Sequence, residues 1–168
     1  TGSSLRGAMK GWYKHGGCRQ DLWGSLEMPP AAKTAVRDWW QEAAHRPLGA
    51  YYRVDTRSVT DMHVALNEIG ILYASAICHD GWMKRTGARA ARGSYWTIPI
   101  QPADSDAGGH AFVIVGYDMR GFIIQNSWGT GWGTGGFALL SKDDWTDIAL
   151  DCWVPRLGVQ TEQDRKIC

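Results

Sequence analysis

The chain has 168 residues, 44% apolar and 21% charged, with a net charge of +1 at neutral pH when His is uncharged. That length suits one domain, or one lobe of a larger unit, with a real core. The near-neutral balance excludes an electrostatic case for nucleic acid, an acidic membrane surface or a polyanionic substrate, and no apolar run approaches the roughly 18–20 residues of a membrane span.

The opening TGSSLRGAMKG has neither an initiator Met nor the apolar core of a signal peptide, as expected of a chain that starts inside a longer one. Ser3 or Ser4 caps a predicted helix in which Leu5, Ala8, Met9 and Trp12 recur at 3–4 spacing, and Gly16-Gly17 stop it. Pro29-Pro30 break the chain, and the stretch to Ala44 is read as helical until Pro47 ends it. Its Trp39-Trp40 pair would face two sides, one toward core and one toward an interface. Ser58, with Asp61 three residues on, caps a helix whose Val59, Met62, Leu66 and Ile69 share a face, with Gly70 past its end. Residues 71–77, ILYASAI, read as a strand buried on both faces.

Residues 80–107 are rich in Gly, Arg and Ala and read as a long surface loop with one strand at Tyr95–Ile100. HAFVIVGYD and GFIIQNS are strands joined by a turn at Asp118–Gly121. GFALLS is another, KDDW a turn or helical cap, and the chain past Pro155 is polar enough to fray. Gly131, Gly133 and Gly136 fit the G-x-G-x-x-G of dinucleotide sites. That fingerprint needs a following helix to face the pyrophosphate, and FALLS alternates like a strand.

The informative stretch is GGHAFVIVGYDMRGFIIQNSWGTGWGTGGF, residues 108–137. A thiol nucleophile needs an imidazole to take its proton. The imidazole must be held in one tautomer, which a neutral Asn carbonyl does without adding charge. An aromatic screening that bond from water strengthens it. His110, Asn126 and Trp128 fit these roles. GGHAFVIVGYD and QNSWGTGWGTGGF resemble the segments that carry the catalytic His and the Asn-Ser-Trp-Gly of the papain-like cysteine peptidases, in order and at similar spacing. The resemblance implies an α+β papain-like fold, mostly the β-rich right-hand lobe with short helices. It further implies His110 as the base, Asn126 as its orienter and Trp128 as the shield, with Trp132 and Gly133 structural. Residues 1–20 would supply a helix of the left-hand lobe and residues 45–158 the β-rich lobe with His and Asn. A plain turn at Asp118–Gly121 sets Tyr117 opposite Phe122 and Val113 opposite Asn126, which sends His110 and Asn126 to opposite faces. The catalytic reading therefore requires a one-residue bulge or another loop length.

No nucleophile is identified in this chain. The family's Cys stands about 130–150 residues before its His and Asn, whereas Cys18 lies 92 residues before His110 (110 − 18), at a helix end. The first segment resembles the stretch just after the nucleophile helix in bacterial papain-like enzymes. Gly2 and Ser3 would then be the substrate-facing turn, with Gly109 also near substrate. The reading is the C-terminal portion of a cysteine-type endopeptidase acting on a peptide or protein substrate. Its Cys would lie upstream or on a partner, such as the N-terminal part of the same enzyme, so that the chain alone is inactive. An apolar wall left open by that missing part would favour self-association or a co-purifying partner. Two other classes remain: a catalytically dead lobe serving as a binding or regulatory module, and a transglutaminase- or deamidase-like enzyme, whose usual third member is Asp rather than Asn. A permuted site using Cys152 or Cys168 is disfavoured because neither begins a helix. Cys18, Cys78 and Cys152 read as buried small hydrophobes, and His15, His45, His63 and His79 as surface or satisfied core residues. Neither metal nor other cofactor is expected, because no Cys/His pairs stand at ligand spacing.

Overall fold

The computed structural model describes residues 3–23, 39–84, 94–102 and 108–158. Two compact units divide it, Thr1–Tyr51 with Pro155–Cys168 and Tyr52–Val154. In the first, α1 (Leu5–His15) is capped by Ser4, whose Oγ accepts the Gly7 N–H at 3.1 Å, so of the two predicted caps it is the second that serves. Gly16 ends the helix at φ 72°, where a Cβ would lie 1.7 Å from the Ala43 carbonyl oxygen. Only Gly permits that conformation and that approach together. Two short helices come next, α2 (Gln20–Trp23) and α3 (Trp39–Ala44). The predicted break at Pro29-Pro30 lies outside the described residues.

The second unit is built on an antiparallel sheet. Its strands are β2 (Leu72–Ile77), β3 (Gly109–Tyr117), β4 (Gly121–Gln125) and β5 (Phe137–Ser141), with β6 (Ala149–Leu157) pairing on the far edge of β2. β1 (Leu48–Arg53) lies beyond β6 in the strand order. Helix α4 (Val59–Ile69) has the predicted Ser58 cap and left-handed Gly70, and it buries Met62 and Leu66 while Val59 and Ile69 pack at the core edge. Helix α5 (Lys142–Ile148) stands where a turn or cap was expected. Ser141 caps it, and the fully buried Trp145 gives it an anchor worth several kcal/mol at about 25 cal/mol per Å2.

Two expectations fail for physical reasons. β2 alternates buried and half-buried residues rather than hiding both faces, because Tyr73 and Ser75 stand on the side away from the core while Ile77, at the strand end, packs against it only half-buried. Residues 80–107 are not wholly a surface loop. Asp80–Met83 form a 3-10 helix with Trp82 fully buried, and Trp96 and Ile98 are buried too. The expected strand at Tyr95–Ile100 is an isolated parallel bridge, Thr97 to Leu139, backed by two backbone hydrogen bonds, one on each side of it. Lone apolar residues in a Gly- and Arg-rich stretch lack the periodicity that marks an element, yet each still seeks burial.

Candidate active site

The ladder between β3 and β4 decides whether His110 can meet Asn126. Tyr117 pairs with Phe122 and Gly116 with Ile123, as a simple turn requires. The register then shifts, Ile114 pairing with Ile124 and Val113 with Gln125, so that Val115 is an extra residue. Continuing this register sets Asn126 opposite Phe112, two residues from His110 and on the same face. The required irregularity is a bulge in β3.

His110 Nε2 and Asn126 Oδ1 are 2.7 Å apart. Asn126 Oδ1 also accepts the Ser127 N–H at 2.8 Å. A backbone N–H can only donate, so this second bond fixes which way the carboxamide faces. The oxygen therefore meets His110, and Nε2 must carry the proton. Nδ1 is left as the nitrogen that can receive one. Asn126 itself is buried, and its own N–H donates to the Gly136 carbonyl at 2.9 Å.

Trp128 lies against the imidazole with ring centroids 4.7 Å apart and planes 36° apart, one side of the indole still facing solvent at 37% exposure. Trp132 meets Trp128 edge-on at 5.8 Å and is itself buried. Its indole N–H donates to the Trp82 carbonyl at 2.8 Å, and Trp82 meets His110 edge-on at 6.0 Å. The imidazole thus sits among indoles, where low polarity strengthens its bond to Asn126. Sequence reasoning missed Trp82, although a Trp within a supposed loop was a signal that something had to cover it.

A second buried pair was also missed. His79 and Asp144 are each about 1% exposed, and His79 Nε2 lies 3.1 Å from both carboxylate oxygens. His79 Nδ1 accepts the Gly81 N–H at 3.0 Å, so this imidazole too is held with its proton on Nε2. Burial pushes the Asp144 carboxyl above the usual carboxylate range, with the His79 hydrogen bond pulling the other way. His79 is indeed a satisfied core residue, but 65 positions separate the partners and nothing local announces the pairing. The Ser141–Asp144 spacing, a cap signature, was the one clue.

The remaining candidates scatter. Gly109 is exposed at the start of β3, opposite Ile77. Ser3 is exposed ahead of α1, in the first unit, and Gly2 lies outside the described residues. A concavity of about 670 Å3 in the first unit, walled partly by Trp23, Trp39 and Trp40, includes no candidate site residue. Cys152 is fully buried, and burial with Asp151 nearby pushes its thiol up to about 12. Cys78 is only half-buried rather than fully, and burial pushes its thiol up to about 11. Both environments oppose the thiolate a nucleophile needs. Cys18, also half-buried, comes after the C-terminal end of α1, the negative end of the helix dipole. Cys168 lies outside the described residues.

A family model described as papain family cysteine protease matches residues 72–155, half of the chain. Xylellain, a cysteine protease from Xylella fastidiosa, superposes with a TM-score of 0.73 at 25% identity, over 92% of this chain and 62% of that one. The Carica candamarcensis cysteine protease CMS1MS2 gives 0.63 at 18% identity, over 92% and 68%. Ananain from Ananas comosus is 51% identical over 39 residues, covering 20% of this chain and 11% of ananain. The chain therefore spans about three-fifths of xylellain and a small part of ananain. The fold is the papain-like α+β fold. The chain belongs to the papain family of cysteine proteases.

Proposed function

We propose that this domain supplies the base of a cysteine-type endopeptidase, with His110 as the base, Asn126 as its orienter and Trp128 as the shield. Residues 1–20 would belong to the left-hand lobe and 45–158 to the β-rich lobe. The observation that carries the reading is the bond from His110 Nε2 to Asn126 Oδ1, with the Ser127 N–H fixing the amide. It leaves Nδ1 to accept a thiol proton. The thiolate would then attack the carbonyl carbon of a peptide bond. The imidazolium returns that proton to the departing amine, leaving an acyl-enzyme that water hydrolyses.

The nucleophilic Cys, in this reading, comes from outside these 168 residues, upstream or from a partner polypeptide. Support comes from the setting of the described thiols, two of which are raised well above neutrality by burial. The peptide or protein substrate rests on the resemblance to cysteine proteases. Gly109 stands as a candidate contact to substrate because it is exposed one residue before His110. Gly2 and Ser3 are kept as a proposed substrate-facing turn on the resemblance alone.

The test is to treat the parent polypeptide, including whatever precedes Thr1, with a peptidyl epoxide. An adduct on a Cys outside the 168 residues, slowed at least about a hundredfold by His110→Ala, supports the peptidase. An intact, folded parent with no reactive Cys makes the domain a binding module instead.

A further inference from the structure

His79 and Asp144 form a buried polar pair, and the reaction outlined above uses neither. Such a pair is costly to bury and adds little net stability over apolar residues of similar size. Its effect must be sought in what it holds in place. His79 is the N-cap of the Asp80–Met83 helix: its Nδ1 accepts the Gly81 N–H, and its carbonyl accepts the Trp82 N–H at 3.0 Å. Asp144, in the first turn of α5 with its own N–H on Ser141 Oγ, clamps the far side of the same imidazole. Gly81 is pressed so close to the next segment that a Cβ would lie 2.0 Å from the Pro99 carbonyl oxygen. The turn therefore has one seat, and the residue it delivers is Trp82.

We propose that His79 and Asp144 are positioning residues for His110. They fix Trp82 as a second aromatic wall beside Trp128, and so keep water from the His110–Asn126 bond. The role rests on reading His110 as the base. The chain of contacts is short. The Asp144 carboxylate holds His79, the His79 side chain and carbonyl set the turn, and the turn sets Trp82. Trp82 then meets the imidazole edge-on and receives the Trp132 indole N–H on its carbonyl. Removing the clamp frees the turn, and the indole no longer excludes solvent from Nε2–H.

The experiment uses the whole 168-residue chain labelled with 15N-histidine. It reads the solvent exchange of the His110 Nε2–H, with the Trp132 indole N–H as a reporter of Trp82 and circular dichroism as a check on folding. Trp82→Leu and His79→Ala are expected to speed that exchange at least about tenfold and to shift the Trp132 signal. Asp144→Asn keeps an acceptor for His79 and is expected to stay within about twofold of the wild type. Unchanged exchange in folded His79→Ala or in Trp82→Leu overturns the proposal. If His79→Ala does not fold, His79→Asn still caps the Gly81 amide and gives up only the clamp, so an unchanged rate there overturns it as well. Asn126→Ala tests the underlying reading separately. An unaltered Nε2–H in that variant means His110 was never held by Asn126, whatever His79 does.

Discussion

The two thiols raised by burial allow a quantitative test of where the nucleophile is not. The perturbation is 4,4′-dithiodipyridine added to the native chain at about pH 7.5, with each cysteine tracked by peptide mass spectrometry. Cys78 is raised from 9.0 to about 11, and Cys152 from 9.0 to about 12. Two units leave about a hundredfold fewer thiolates, and three units about a thousandfold fewer. A more basic thiolate is a better nucleophile, and a Brønsted slope of about 0.4–0.5 returns roughly eightfold for Cys78 and twentyfold for Cys152. The expected rates are therefore about twelvefold below a model thiol for Cys78, and about fiftyfold below for Cys152 before access is counted. Cys152 is also fully buried within β6, so each ~1.4 kcal/mol needed to open that strand slows it a further tenfold. Modification of either residue at the rate of a model thiol, with the fold intact, would refute the reasoning and reopen the search for a nucleophile within the chain.

The β3–β4 ladder and the buried carboxylate each yield another prediction. Deleting Val115 should preserve the His110–Asn126 pair. Without it Ile114 and Gly116 become neighbours, and the same partners across β4 form an unbroken ladder; disappearance of the protected Nε2–H signal in a folded deletion variant would show that the bulge does more than set register. For Asp144, a carboxyl raised in the folded chain contributes stability that is complete below its unfolded value of about 3.9 and lost as pH rises through the folded value. Asp144→Asn should therefore gain on the wild type in urea titrations as pH rises from about 4, and a difference that stays constant as pH rises would contradict the burial effect.

What the sequence made legible was local. The Ser58 cap and Gly70 stop, the 3.6-residue face of α4, and the turn between β3 and β4 all announce themselves within a dozen residues, because caps and periodicity are short-range physics. The pairing of His110 with Asn126 was legible through the family resemblance together with a register argument that demanded an irregularity. Which residue would supply it was not, since a bulge at Val115 depends on how two strands meet. Trp82 and the His79–Asp144 clamp were hidden for a different reason. Each acts through tertiary contact, and a polar pair 65 residues apart leaves no periodic trace.

The placement of β6 has a consequence for how the polypeptide is made. β2 through β5 form from residues 72–141, all of which leave the ribosome before residue 149. Until β6 arrives, β2 shows a bare edge of unpaired peptide groups along LYASAI, the kind of surface on which nascent chains stick to one another. Translation that stalls before β6 should thus yield a product with native-like hairpins and poor solubility, and a chaperone would find its work at that edge.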